Sequence, residues 1–311
     1  MGSSGGSSYS SSSSNAKIDN LVKQANNSSN SSEYDSEVNE LLQEALKSYN
    51  DRDVQAINKH LDVLKKAIEK EIEESVRLAF GGSVPKHTFI NGLSDIDTLV
   101  LVNKTSLQNK SPQEALDYFA RQIQQRLPNT DVSVGRLAVT VRYSDGCEIQ
   151  LLPAIKTATG YKIADSLSSE KWSNVVRPKA FAQKLTAVNQ TCAGKVVPVI
   201  KLFKAVVKEV LPKNSKLSGY HAESLAIEAF KNYKGSKTHK DMLAHLCRTA
   251  SERVKEPIKD KSGQSIHVDD YLGKKNSTER NKVSGYLGRL AKRMEKADKL
   301  NSKGEWEKLF E

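Results

Sequence analysis

The sequence predicts an α+β protein: a mixed sheet in its first half, a long helix as spine, and a largely helical remainder. Three observations predict it. Val54, Ile57, Leu61, Leu64, Ile68, Ile72 and Val76 recur every three or four residues, the spacing of one apolar stripe along a helix. Short runs rich in β-branched residues, such as Thr98-Leu99-Val100-Leu101-Val102, read as strands. After about residue 173 the pattern is mostly helical.

Residues 1–35 are dominated by Ser, Gly and Asn and are expected to form a disordered tail, because such a composition buries too little apolar area to offset chain entropy. The stripe from Val54 then predicts one helix that delivers the chain into Gly81-Gly82-Ser83. Pro112 to Leu127 read as a helix. Leu137 to Tyr143 read as a strand, Ser144-Asp145-Gly146 as a tight turn and Cys147 to Ile155 as the returning strand. Val199 to Lys208 form an amphipathic helix, with Pro198 acceptable in its first turn. Residues 257–273 read as a structured loop with a Gly turn, and Ser277-Thr278-Glu279-Arg280 as the start of a further helix. No internal repeat is present.

Composition narrows the class. The chain has 311 residues, with 48 Lys and Arg against 37 Asp and Glu, a formal charge of +11. That charge suits polyanionic partners such as nucleotides or nucleic acid, though scattered lysines also serve solubility, so no nucleic-acid activation is inferred. No apolar run approaches the roughly twenty residues that span a bilayer, and no secretory signal is present, so no membrane partner is expected. Cys147, Cys192 and Cys247 are scattered, which indicates neither a disulfide framework nor a zinc site and fits a reducing cytoplasm.

The chemistry concentrates between Gly81 and Asp97. Glycines at 81 and 82 permit close backbone approach to a triphosphate, and Ser83 offers a hydroxyl to it. Asp95 and Asp97 stand two apart at the mouth of a predicted strand, so both carboxylates point the same way and can share divalent metal ions. Downstream, Lys201, Lys204 and Lys208 recur at helical spacing, and a triphosphate is a natural counter-ion for such a face.

A Gly-Ser turn about a dozen residues before an Asp-x-Asp strand resembles the signature of the polymerase-β-like nucleotidyltransferases. With Lys86, Thr88 and Gly92-Leu93-Ser94 in between, it is similar to the branch holding the 2′-5′ oligoadenylate synthetases, cyclic GMP-AMP synthase and the bacterial CD-NTases of anti-phage CBASS systems. Glu148-Ile149-Gln150-Leu151-Leu152-Pro153-Ala154, Leu217 to Ala226 and Pro257 to Gly273 resemble bacterial CD-NTase segments in the same order.

The resemblance implies a two-lobed enzyme, with a catalytic lobe over 36–172 and a helical lobe over 173–311 closing on the nucleotide. It implies synthesis of a cyclic oligonucleotide from nucleoside triphosphates, with Mg²⁺ or Mn²⁺ as cofactor and a separate effector protein responding to the product. Asp95, Asp97 and Glu148 are then the catalytic and metal-binding set, with Gln150 beside them; the family's third acid falls at the Gln150 position, and Glu148 lies two residues earlier. Gly82, Ser83, Lys201 and Lys204 are expected to bind nucleotide, Ser218 to touch phosphate and Tyr220 to stack on the base. A linear oligonucleotide synthase, a tRNA-tailing enzyme and a degenerate nucleotide-binding module remain alternatives.

Overall fold

The computed structural model describes residues 12–51, 53–69, 76–80, 82–90, 96–165, 168, 170–212, 215, 217–258 and 268–311, with backbone alone for 12–30 and for Phe80. The chain order begins α1 (Ser12–Asn50), α2 (Val54–Glu69), β1 (Arg77–Phe80), β2 (Ile96–Leu101), α3 (Pro112–Arg126), β3 (Asp131–Val134), β4 (Val139–Arg142), β5 (Glu148–Lys156) and β6 (Tyr161–Ile163). Helices follow: α4 (Pro178–Thr191), α5 (Val196–Val210), α6 (Gly219–Phe230), α7 (His239–Arg253), α8 (Thr278–Lys299) and α9 (Lys303–Glu307).

The sheet runs β1-β2-β5-β4-β3, with β6 added to β5. β2 and β5 are parallel and the remaining pairs antiparallel, so the sheet is mixed. Because side chains alternate along a strand, this register gives two unlike faces. Ile96, Thr98 and Val100 align with Ile149, Leu151 and Pro153. On that side α2 and α3 bury Leu61, Leu64, Ile68, Leu116, Phe119 and Ile123 against Val139, Val141, Ile149 and Leu151. The opposite face carries a small apolar cluster of Leu99, Leu101 and Ala154. Toward the start of β2 it becomes polar: Asp97 aligns with Gln150, Gln150 with Thr140, and Thr140 with Ser133.

Several elements begin where local chemistry starts them. Ser111 caps α3, its hydroxyl accepting from Glu114 N while Glu114 reaches back to Ser111 N, a reciprocal cap that satisfies two otherwise orphaned donors. Ser277 caps α8 by accepting from Arg280 N.

The helical core joins α4 to α9 with α1, which contributes Tyr34, Val38, Leu42 and Leu46 at spacings of four. Polar contacts fix α1 in place. Tyr34 donates to Asp298 Oδ1 at 2.8 Å and accepts from Trp306 Nε1 at 2.9 Å. Lys240 Nζ lies 3.0 Å from Asp35 and 3.3 Å from Asp298.

Three expectations change. The single helix expected over Val54–Val76 does not reach its far end: α2 is described over Val54–Glu69, and Val76 is non-helical and buried just ahead of β1. Apolar residues four apart suit either a helical stripe or a buried lead-in to a strand, so the pattern did not mark the end of the helix. Ile72 lies outside the described residues. The spine's role is also divided, since α1 packs on the helical core and α2 on the sheet core. The expected tail is helical from Ser12, and residues 36–50, expected in the catalytic lobe, pack with the helices instead. Once Tyr34, Val38 and Leu42 are anchored, further turns extend an existing helix and need no new nucleus. Among the described residues no helix is long and apolar enough to cross a membrane.

Candidate active site

The turn after β1 brings the backbone hard against the first residues of β2. Gly82 has φ +52°, and a Cβ there would lie 1.5 Å from Asp97 Oδ2. Only glycine fits: the carboxylate occupies the space of a side chain, and the backbone angle is one that other residues adopt at a cost. Ser83 is buried and its carbonyl accepts from Thr88 N at 3.1 Å, closing the turn. Gly81, Gly92, Leu93, Ser94 and Asp95 lie outside the described residues.

The same turn carries Lys86 and Thr88 to the helical half, where Glu223 of α6 receives them. Glu223 is 1% exposed. Its carboxylate accepts from Lys86 Nζ, from Thr88 Oγ1 and, at 2.9 Å, from Lys204 Nζ of α5. Lys204 also donates to the Thr88 carbonyl at 3.1 Å. A buried carboxylate held by two ammonium groups and a hydroxyl thus ties the sheet half to the helical half.

The electrostatics follow from burial. Burial pushes the Asp97 carboxyl above the usual range, Lys86 and Lys204 oppose it, and Glu223 adds to the rise. Lys204 falls below an ordinary lysine because burial outweighs the attraction of Glu223. Burial alone would raise Glu223, but Lys204 and Lys86 outweigh it and hold the carboxyl down. Asp97 therefore lacks the full cationic compensation a buried carboxylate requires.

The amino end of α6 adjoins this cluster. A Cβ on Gly219 would lie 3.4 Å from Lys204 Nζ. Ser218 is the helix cap: its hydroxyl accepts from His221 N at 3.1 Å, and its own N–H donates to Tyr271 Oη at 2.9 Å. A helix start beside a lysine is an anion-binding arrangement. Tyr220 packs its ring on Phe181 with centroids 4.5 Å apart, and Lys86 Nζ lies 5.3 Å from the Tyr220 centroid and 4.8 Å from that of Phe181.

Not every expected residue joins the cluster. Lys201 donates instead to the Asn50 side chain at the end of α1. Residues three apart lie only about 60° apart on one helix face, so it is the reach of each side chain, toward Asn50 or toward Glu223, that separates the two. Glu148 accepts from Arg142 Nε at 2.8 Å, and Arg142 also reaches Asp131 at 3.2 Å. Gln150 is the residue aligned with Asp97 across the parallel ladder, while Glu148 lies two positions earlier on the same face.

Glu223, Lys86 and Phe181 were not assigned roles from the sequence. Glu223 did leave a signal. It lies in Ala222-Glu223-Ser224-Leu225-Ala226, a helix stretch buried on all sides, where a lone carboxylate demands cationic partners.

A mixed sheet that holds a carboxylate against a glycine turn, faced by helices carrying a lysine and an anion-receptive helix start, defines a polymerase-β-like nucleotidyltransferase fold. The model of the Second Messenger Oligonucleotide or Dinucleotide Synthetase domain matches residues 16–189, more than half of the chain, and the chain belongs to that family. A cyclic AMP-AMP-AMP synthase from an Acinetobacter strain is 26% identical over 165 residues, 52% of this chain and 46% of that protein. The chain thus matches a little under half the length of that curated relative. Among solved structures, Escherichia coli MS115-1 CdnC with ATP is similar at TM-score 0.65 and 15% identity, covering 88% of this chain and 96% of that one. Bradyrhizobium diazoefficiens CD-NTase CdnG in complex with GTP gives TM-score 0.63 at 14% identity, covering 84% and 91%. Escherichia coli DncV in its 3′-deoxy GTP bound form gives 0.62 at 12%, covering 96% and 90%. The expected α+β, CD-NTase-like fold is thereby established.

Proposed function

We propose that this chain is a template-independent nucleotidyltransferase that condenses nucleoside triphosphates into a cyclic oligonucleotide, releasing pyrophosphate. One observation carries the reading: Gly82 places a backbone turn directly on the Asp97 carboxylate, beside Lys204 and the start of α6. A cation-seeking carboxylate and an anion cradle adjoin, as phosphoryl transfer requires. The relatives, a cyclic AMP-AMP-AMP synthase and proteins bound to ATP or GTP, support the same substrate class.

In this reading the triphosphate lies over Gly82 and Ser83. Lys204 and Lys86 exchange Glu223 for phosphate oxygens, the Ser218 hydroxyl donates to another, and Tyr220 stacks on a base. Lys201 contributes positive potential from the next turn of α5. The oxygen-only set of Asp95, Asp97 and Glu148, with the Gln150 amide oxygen, suits a hard divalent cation, and the under-compensated Asp97 fits one. Mg²⁺ or Mn²⁺ held there would neutralise the triphosphate and lower the pKa of the acceptor ribose hydroxyl. The cyclic product would then act on a separate effector protein in anti-phage defence, within the cytoplasm.

The alignment of neutral Gln150 with Asp97 favours one second reading, a nucleotide-binding module without chemistry. Pyrophosphate release separates the two. Wild type mixed with nucleoside triphosphates and Mg²⁺ releases pyrophosphate and Asp97→Asn does not; nucleotide binding without release by the wild type supports the module instead.

A further inference from the structure

The hairpin between β4 and β5 and one face of α2 bring together three side chains of different ligand chemistry that the nucleotide site does not use. His60 Nε2, a carboxylate oxygen of Asp145 and Cys147 Sγ all lie within 4.8 Å of one another. We propose that His60, Asp145 and Cys147 bind a zinc-class divalent cation that clamps α2 to the β4–β5 hairpin, with a fourth position open to solvent. Chain order hides this cluster, since the cysteines lack metal-ligand spacing and only folding joins position 60 to 145 and 147.

The donor set selects the metal. One imidazole, one carboxylate and one thiolate suit a borderline-soft cation of the Zn²⁺ type, whereas Mg²⁺ takes oxygen ligands. Tetrahedral Zn²⁺ with bonds of about 2.0–2.3 Å holds its donor atoms roughly 3.3–3.8 Å apart. The widest separation here must close by about 1 Å. His60 Nε2 and Asp145 Oδ2, now 2.8 Å apart, must open slightly around the ion.

The ligands are already oriented. Asp145 Oδ1 accepts from Cys147 N at 2.9 Å, which turns Oδ2 toward His60. Gly146 has φ +84° and donates to Tyr143 O at 3.1 Å, while Tyr143 N donates to Cys147 O at 2.9 Å, so the turn is tightly tied. The His60 ring stacks on Tyr143 with centroids 3.6 Å apart and planes at 20°. Its helix is fixed by buried Leu61 and Leu64. Such support restricts the geometry a metal would find. Access is open, because Asp145 is exposed and the other two are half-buried. Cys192 and Cys247 are buried, leaving Cys147 as the accessible thiol.

The clamp would hold β5, which begins at Glu148, against the helix that leads toward the Gly82 turn. Its chemistry is independent of the nucleotide site. Binding replaces the Cys147 S–H proton with a metal–sulfur bond and releases that proton to solvent.

Co²⁺ is the direct probe, because a thiolate ligand gives a sulfur-to-cobalt charge-transfer band in the near ultraviolet. Metal-free full-length protein titrated with Co²⁺ should develop that band to saturation at one ion per chain, and Zn²⁺ should displace it. Cys147→Ser, nearly isosteric, should lose the band with its circular dichroism unchanged. His60→Ala should weaken Co²⁺ binding at least tenfold and abolish the rise in thermal midpoint that Zn²⁺ gives the wild type. Absence of a band in the wild type overturns the site. So does an equal band in His60→Ala, which would mean capture by a lone thiol.

Discussion

A methyl group on Gly82 would stand 1.5 Å from Asp97 Oδ2, so the turn and the strand share one space. Gly82→Ala must displace the carboxylate or the turn, at a backbone angle unfavourable to alanine. Displacements of about 1 Å near reacting groups cost on the order of a hundredfold in rate. Pyrophosphate release by Gly82→Ala is expected to fall by about that factor or more, with the thermal midpoint only modestly lower; near-normal turnover would show that Asp97 does not need the contact.

Glu223 is expected to hold the two halves together in the absence of nucleotide. Removing one partner of a buried ion pair costs about 3–5 kcal/mol, so Glu223→Ala should destabilise the protein by that order in urea unfolding. Glu223→Gln keeps an acceptor for Thr88 but leaves Lys86 and Lys204 unanswered. If those lysines receive a triphosphate, saturating ATP should raise the thermal midpoint of Glu223→Gln more than that of the wild type. An equal or smaller rise would contradict the exchange.

The assignment of Glu148 over Gln150 as third carboxylate has its own test. Glu148→Gln should lower pyrophosphate release about a hundredfold or more, the scale of losing one electrostatic group at a reacting centre. Gln150→Ala should cost less than tenfold. The reverse order would move the role to Gln150 and leave Glu148 as the partner of Arg142.

His221 predicts a pH dependence of stability. It is fully buried, donates or accepts at Tyr271 Oη across 3.0 Å, and lies 3.5 Å from Asp269 without a hydrogen bond. Burial first, with Arg280 and Arg253 assisting against Asp269, lowers its pKa from 6.5 to about 4. Between those values the unfolded chain binds a proton that the native chain refuses, so stability falls as pH drops from about 6.5 to about 4. The loss amounts to about 3 kcal/mol from this residue. Urea unfolding across that range should show a shallower slope in His221→Gln; an unchanged slope would assign the dependence elsewhere.

The anchor of α1 is also testable. Tyr34→Phe removes the donor to Asp298 and the acceptor for Trp306. Trp306 Nε1 still reaches Asp298 Oδ1 at 3.2 Å, so neither group is stranded and the cost is that of a net hydrogen bond, about 0.5–1.5 kcal/mol, to be read from denaturant midpoints.

The parts of the fold governed by local rules were legible in advance. Pro112 to Leu127 read as a helix, realised as α3, and the Ser144-Asp145-Gly146 turn announced the β4–β5 hairpin. The end of α2 was hidden, because Ile72 and Val76 continue its spacing although Val76 leads into β1. At the site, Gly82 and Asp97 were visible because a glycine turn and an Asp-x-Asp strand stand close together in sequence at a telling spacing. Glu223 left only the signal of a lone carboxylate in an apolar helix stretch, since its partners Lys86, Thr88 and Lys204 arrive from two other elements. The separation of Lys201 from Lys204 was equally a matter of which neighbour each long side chain meets.

The measurement that tests the central claim most directly is incubation of the purified chain with all four ribonucleoside triphosphates and Mg²⁺ or Mn²⁺, then phosphatase treatment and mass spectrometry. The account predicts a phosphatase-resistant species with the mass of a cyclic oligonucleotide, absent when Asp97→Asn is used. Oligomers that phosphatase trims to cores lacking their terminal phosphates would indicate a linear synthase, and no product despite nucleotide binding would contradict the enzymatic reading.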